Sequence, residues 1–403
     1  MSNHLYRLFR ISRFIFLFGL LLSLSACVNE FDPKLNPNTD LLVVDGIITD
    51  LPETQVIRIS RSRSNRDSTV STPLTKAAVE VLVNGQAILS SENPKEPGSY
   101  QLPDNFRGRV GDRYQLRFTT ASGTRYESTT EQMTSVPPIQ KIYDQFNPRG
   151  IEKVSKDGYI PSNDIYVDFQ DPAGERNFYL WRWTQYEPQT WCASCRQGRY
   201  YLTDLGNELT GGCVSDNKLG VFERFEYTCF QYCWDIFYNT DVNIFADQFA
   251  NGRPQMARPV AKIPLRQINP TLVVIQQLSL SVDAYRYYKL FADQTQNTGT
   301  LADSPPAPTA GNVRNLANDR ENVVGYFSAS SVSENRYYLD RRNTQGGLLD
   351  GLFFFQTGRT PNVEPPRVTG PIPVTLSIYG QGVPSAICVQ SRNRTPIAPR
   401  GFR

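Results

Sequence analysis

Apolar and polar positions alternate with a period of two along most of this chain, in short runs cut off by turn residues, the pattern of strands that bury one face. Leu41-Leu42-Val43-Val44-Asp45-Gly46 and Gln55 to Ile59 read as strands, and Val79, Val81 and Val83 alternate up to the Asn84-Gly85 turn signal. Tyr114, Leu116 and Phe118 alternate after Gly111-Asp112, and Ser122-Gly123 turns the chain into Tyr126. Short strands separated by such turns predict an antiparallel β-sandwich over residues 39–137, Ig-like or peptidase-regulatory-like, with Pro137-Pro138 as its boundary.

Residues 138–403 predict a larger β-rich domain with one or a few helices. Ile165, Val167 and Phe169 alternate up to the turn-like Asp171-Pro172-Ala173-Gly174, Phe178 to Trp183 follows, and Thr271 to Ile275 is an apolar strand. The clearest helix comes next. Ser281 stands at its N-cap, Asp283 lies in its first turn, and Ala284, Tyr288 and Phe291 line one face before Asn297 and Gly299 end it. Ser304-Pro305-Pro306-Ala307-Pro308 supports neither a helix nor a central strand and reads as an exposed loop. Val323 to Phe327, Tyr337-Tyr338-Leu339 and Pro373 to Ile378 restore strand character. Gly346-Gly347 lacks the lysine and helix that a phosphate-binding loop needs, and no internal repeat is evident.

One segment breaks the period-two pattern. Phe14 to Leu22 is uninterruptedly apolar yet too short to span a bilayer comfortably; Arg7, Arg10 and Arg13 precede it and Leu24-Ser25-Ala26-Cys27 follows. This order resembles a bacterial lipoprotein signal with its lipobox. It makes residues 1–26 a signal peptide, Cys27 the lipid attachment site, and residues 27–38, with Pro33 and Pro37, a lipidated tether. Val28, rather than aspartate, follows Cys27, which fits release to the outer membrane. Glu30 and Asp32 resemble the surface-export signals of Bacteroidetes lipoproteins.

Removing residues 1–26 takes away three arginines and no acids, so the mature chain carries 42 − 3 = 39 basic against 39 acidic residues. A neutral chain has no global field to draw in nucleic acid, and the arginines at 58, 61, 63 and 66 read as a solvated strand and loop. The one histidine, His4, lies in the signal segment. That excludes Ser-His-Asp and Cys-His nucleophiles and His-containing zinc sites from the mature chain, leaving paired carboxylates or lysine as the routes to catalysis. The expectation is a non-enzyme without cofactor or metal.

Six cysteines follow Cys27: Cys192, Cys195, Cys213, Cys229, Cys233 and Cys388. An even number in an exported chain reads as disulfides, with fifteen possible pairings. The first five would also supply thiolates to a zinc site, but an oxidising compartment and irregular spacing argue for disulfides. Trp181, Trp183, Trp191 and Trp234 all fall within the same stretch. They form either a stacking surface for a glycan or protein partner, or a disulfide-stapled core; aromatic strands on both faces favour the core.

Several segments together resemble a known family. Leu42-Val43-Val44-Asp45-Gly46, Ala77-Ala78-Val79-Glu80-Val81, Gly98-Ser99-Tyr100, Val110 to Leu116, Cys233-Trp234, Gly311-Asn312-Val313 and Val324-Gly325-Tyr326-Phe327 occur in an order similar to the Bacteroidetes outer-membrane lipoproteins of domain-of-unknown-function family 4249, over nearly the whole mature chain. The resemblance implies an accessory lipoprotein of a TonB-dependent receptor, engaged in capturing or importing a nutrient. It supplies no catalytic residues. Family members carry paired cysteines near the C-terminus, whereas Cys388 is followed by Val389, Gln390 and Ser391. That departure frees Cys388 to reach back to the 192–233 cluster, with Cys233 as its expected partner. The rival functions are a glycan-binding module or glycan-directed enzyme using the tryptophan segment, and a cell-surface scaffold; glycan or peptide is the expected ligand class.

Overall fold

A computed structural model describes residues 40–64, 69–153, 157–204, 209–296, 309–344, 361–366 and 384–402. The segments expected to form a signal peptide ending before Cys27, a tether, a helix end at Asn297 and Gly299, a loop at 304–308 and a strand from Pro373 to Ile378, together with Arg66 and Gly346-Gly347, lie outside the described residues.

The chain is mainly β, as its patterning requires. The first ten strands are β1 (Asp40–Thr49), β2 (Val56–Ser64), β3 (Thr69–Pro73), β4 (Ala78–Val83), β5 (Gln86–Leu89), β6 (Ser91–Glu92), β7 (Ser99–Gln101), β8 (Arg113–Thr119), β9 (Arg125–Ser128) and β10 (Glu131–Gln132). They build two facing sheets. Along β1, Leu42, Val44 and Ile48 point into the core with Ile57, Ile59, Val79, Val81, Tyr114, Leu116 and Phe118, while Asp45 and Ile47 point outward. Asn84 and Gly85 both take positive φ (51° and 89°), which turns β4 tightly into β5.

Residues 313–330, placed by the sequence in the second region, complete this sandwich. The strands β22 (Val313–Asn315) and β23 (Val323–Ser330) give the sheet orders β23-β1-β2-β7-β6 and β22-β9-β8-β4-β5. The β1–β23 pair is parallel, from Leu42↔Val323 to Thr49↔Ser330. A parallel pair needs a long crossover, and the intervening chain supplies it. Without β23, the buried-pattern strand β1 would be an open edge. Gly325 makes the close approach possible: its φ is +89°, and a Cβ there would strike the Val44 carbonyl, just as one on Gly311 would strike the carbonyl of Gly325. Asn312 then clamps β23 with both ends of its amide, donating to Phe327 O at 2.8 Å and accepting from Phe327 N at 2.9 Å.

Beyond the sandwich, β11 (Ile139–Glu152), β12 (Tyr159–Gln170) and β20 (Pro254–Pro264) form a three-stranded sheet. It covers one face of a larger sheet containing β13 (Phe178–Pro188), β18 (Trp234–Tyr238), β19 (Asn243–Ala246), β21 (Thr271–Ser279), β24 (Val332–Leu339) and β25 (Arg394–Thr395). Ile165, Val167, Phe169, Tyr179, Trp181, Val273 and Ile275 fill the space between the two sheets. The antiparallel pair β14 (Trp191–Arg196) with β17 (Arg224–Thr228) and the hairpin β15 (Gly198–Asp204) with β16 (Leu209–Ser215), inserted between them in the chain, make a small appendage.

The helix α1 (Val282–Gln296) is capped as its sequence predicts, with Ser281 Oγ accepting from Ala284 N at 3.1 Å. Its inner face carries Ala284, Tyr285, Tyr287 and Tyr288 against Leu180, Leu278 and Tyr326. Phe291 stacks on Tyr287 at the edge of that face, 6.4 Å between ring centroids, and is 37% exposed. Among the described residues no helix is long and apolar enough to cross a membrane.

Candidate functional site

Strand alternation that buries one face of each sheet leaves the other face to carry chemistry. Asp45, Ile47 and Thr49 of β1 and Val56 and Arg58 of β2 lie on the outer face of the sandwich. The outer face of the larger sheet carries cross-strand rows: Arg182 opposite Gln276 and Gln276 opposite Glu334, then Thr184 opposite Val274 and Val274 opposite Arg336. These two faces line a cleft of about 660 Å³. The connection after β18, Asn239 to Val242, and Tyr186, Tyr238 and Arg392 complete its wall. The volume falls within the roughly 300–1,000 Å³ range of small-molecule sites.

The cleft is lined by four arginines (58, 182, 336 and 392) and four carboxylates (Asp45, Glu53, Asp241 and Glu334). Two of the arginines are held by acids. Arg58 reaches Glu96 at 3.2 Å, and Arg336 reaches Glu334 at 2.9 Å. Gln276 donates to Glu334 at 3.0 Å and fixes that carboxylate further. Arg182 instead lines the cleft together with Tyr288, whose pKa burial raises above its ordinary value. Arg392 lies over the ring of Tyr238, 5.7 Å from its centroid. Burial, reinforced by the neighbouring Glu334, pushes the Glu53 carboxyl above the ordinary carboxylate range.

Of the tryptophans, Trp181 and Trp234 are buried at 1% and 5% exposure, and Trp183 and Trp191 are half-buried. Trp181 packs beside Phe169 and Tyr179, with Arg258 5.1 Å over its ring. Trp183 packs against the same core and also borders the cleft. The four side chains do not gather into one exposed stacking face.

All six internal cysteines are paired: Cys192 with Cys229, Cys195 with Cys213, and Cys233 with Cys388. The first two staple the appendage around Tyr200, Phe225 and Tyr227. The third ties the C-terminal segment to the start of β18, where Arg394 Nε donates to Asp235 at 2.6 Å. The sulfurs of Cys192, Cys229 and Cys233 lie within 4.8 Å of one another, so two disulfides pack side by side. Sulfurs bound to each other are not thiolate ligands. The arginine run disperses similarly, since Arg58 bonds Glu96 while Arg61 and Arg63 share Asp40.

A sandwich completed from a distant segment, a second pair of stacked sheets and a stapled appendage define a β-rich chain with a polar cleft between sheet faces. A sequence profile of the family described as Domain of unknown function (DUF4249) matches residues 28–336, and the chain belongs to that family. The match includes every segment that carried the resemblance and ends before Cys388. No curated protein matches the chain. The sequence singled out none of the cleft's charged residues beyond Arg58; the signal available was an outward-facing polar residue at alternate strand positions, as at Asp45 and Arg182.

Proposed function

We propose that this chain is a lipid-anchored outer-membrane protein that captures a nutrient in the cleft and serves as the non-catalytic accessory of a TonB-dependent receptor. The observation that carries the binding role is the cleft itself, where charged side chains of both signs converge without filling a volume of about 660 Å³. Support for the anchor is the lipobox ending at Cys27. The receptor follows from the family resemblance. The non-catalytic reading rests on the absence of histidine after residue 4. Glycan capture by the tryptophans is the weaker reading, because Trp181 and Trp234 already serve the core.

The test grows cells with a clickable fatty acid and separates inner from outer membrane. The parent chain is expected to carry the label and to sediment with the outer membrane, while Cys27→Ala is unlabelled and unanchored. Equal labelling of both chains, or parent chain in the inner membrane, overturns the anchor.

A further inference from the structure

Beside the Arg336–Glu334 ion pair, the cleft holds charges of both signs that do not neutralise one another. Arg182 and Arg392 make no ion pair with a carboxylate among the described residues, and Asp45 makes none with an arginine or lysine. The arrangement follows from the fold. Asp45 stands on the sandwich and Arg182 on the opposing sheet, so the cleft separates them. Arg58, directly across the strand pair from Asp45, turns away to Glu96. Asp45 and Arg182 both line this one cleft of about 660 Å³, a volume of the size that holds a single small molecule. Asp241 offers a further carboxylate on the wall that Arg392 also lines.

A ligand with one charge would satisfy one side and leave the other desolvated beside it, which costs free energy. A ligand with an ammonium and a carboxylate satisfies both. A carboxylate fits the planar fork of a guanidinium, and an ammonium fits a carboxylate.

Resting on the reading of this cleft as the capture site, we propose that its ligands are short peptides with free termini, their carboxylate taken by Arg182 and their ammonium by Asp45.

The experiment equilibrates full-length protein in detergent with a defined tripeptide library, removes unbound material, and quantifies what is retained by mass spectrometry. The same library after N-acetylation, after C-amidation and after both, and a mixture of neutral oligosaccharides, run in parallel. Free peptides are expected to be retained, with each cap lowering retention at least tenfold. Arg182→Gln and Asp45→Asn are expected to lower it as much at an unchanged melting temperature; if Arg182→Gln shifts the melt, Arg182→Lys is expected to restore both stability and retention. Equal retention of free and doubly capped peptides, preferential retention of oligosaccharides, or no retention of any peptide overturns the proposal. Such a failure in a chain that is acylated and found in the outer membrane removes the ligand class alone, whereas an unlabelled chain removes the anchored reading.

Discussion

Replacing Cys233 and Cys388 together by alanine should destabilise the chain more than removing either other disulfide. The bridge closes a separation of 155 residues, against 37 for Cys192–Cys229 and 18 for Cys195–Cys213. In the chain-entropy treatment these separations are worth about 5, about 4 and about 3 kcal/mol at room temperature. The 195–213 loop is nested inside the 192–229 loop and shortens it, so the middle figure falls toward about 3 kcal/mol while the shorter bridge is intact. The 233–388 loop begins after Cys229 and gains no such shortcut. Both of its cysteines are buried, at 3% and 4% exposure, so alanine is the replacement that leaves no polar atom unpaired. Equilibrium unfolding in guanidinium, with the slope fitted for each double mutant, gives the free energies. A Cys195→Ala, Cys213→Ala chain that loses as much stability as the 233/388 mutant would refute the loop-length reasoning. Alkylation of Cys233 or Cys388 in protein purified without reductant would refute the pairing.

Trp181→Ala should cost about 3–5 kcal/mol, since the ring is fully enclosed among Phe169, Tyr179 and Phe245; Trp183→Ala should cost less, and thermal melts of the two would order them. A flat melting curve for Trp181→Ala would contradict its placement. Glu131 gives a pH signature: burial raises its carboxyl above the ordinary 4.5, where it accepts from Ser281 at 2.6 Å and Tyr326 at 2.8 Å. A raised folded-state pKa means that its contribution is full below about pH 4.5 and is lost as pH rises through the folded value. Melting temperatures of the parent should therefore fall relative to Glu131→Gln between pH 4.5 and neutrality, and parallel curves would show that the carboxyl titrates as it does in the unfolded chain.

The strands of the sandwich were legible because each carries its information locally. Leu42, Val44 and Ile48 alternate with outward residues, and Asn84-Gly85 turns where it must. The helix cap at Ser281 was equally local. Membership of 313–330 in the sandwich was not, because a parallel pairing between Val44 and Gly325 leaves no trace in the residues between them. Its one sequence signal was a glycine within a β-patterned run, Gly325, where a neighbouring backbone passes too close for a side chain. The cleft stayed hidden for a related reason. Asp45, Arg182 and Arg336 are outward-facing residues on well-patterned strands, and such a residue reads the same whether water or another sheet stands opposite. The Cys233–Cys388 pairing emerged from the departure at Cys388 rather than from spacing, which left fifteen pairings open.

Affinity capture of the tagged chain from detergent-solubilised native membranes, with co-purifying proteins quantified by mass spectrometry, tests the proposed accessory role most directly. A single TonB-dependent receptor recovered in near-equal amount with the chain is the predicted result. Recovery of the chain without any receptor, at a yield that shows it intact and in the outer membrane, would contradict the account.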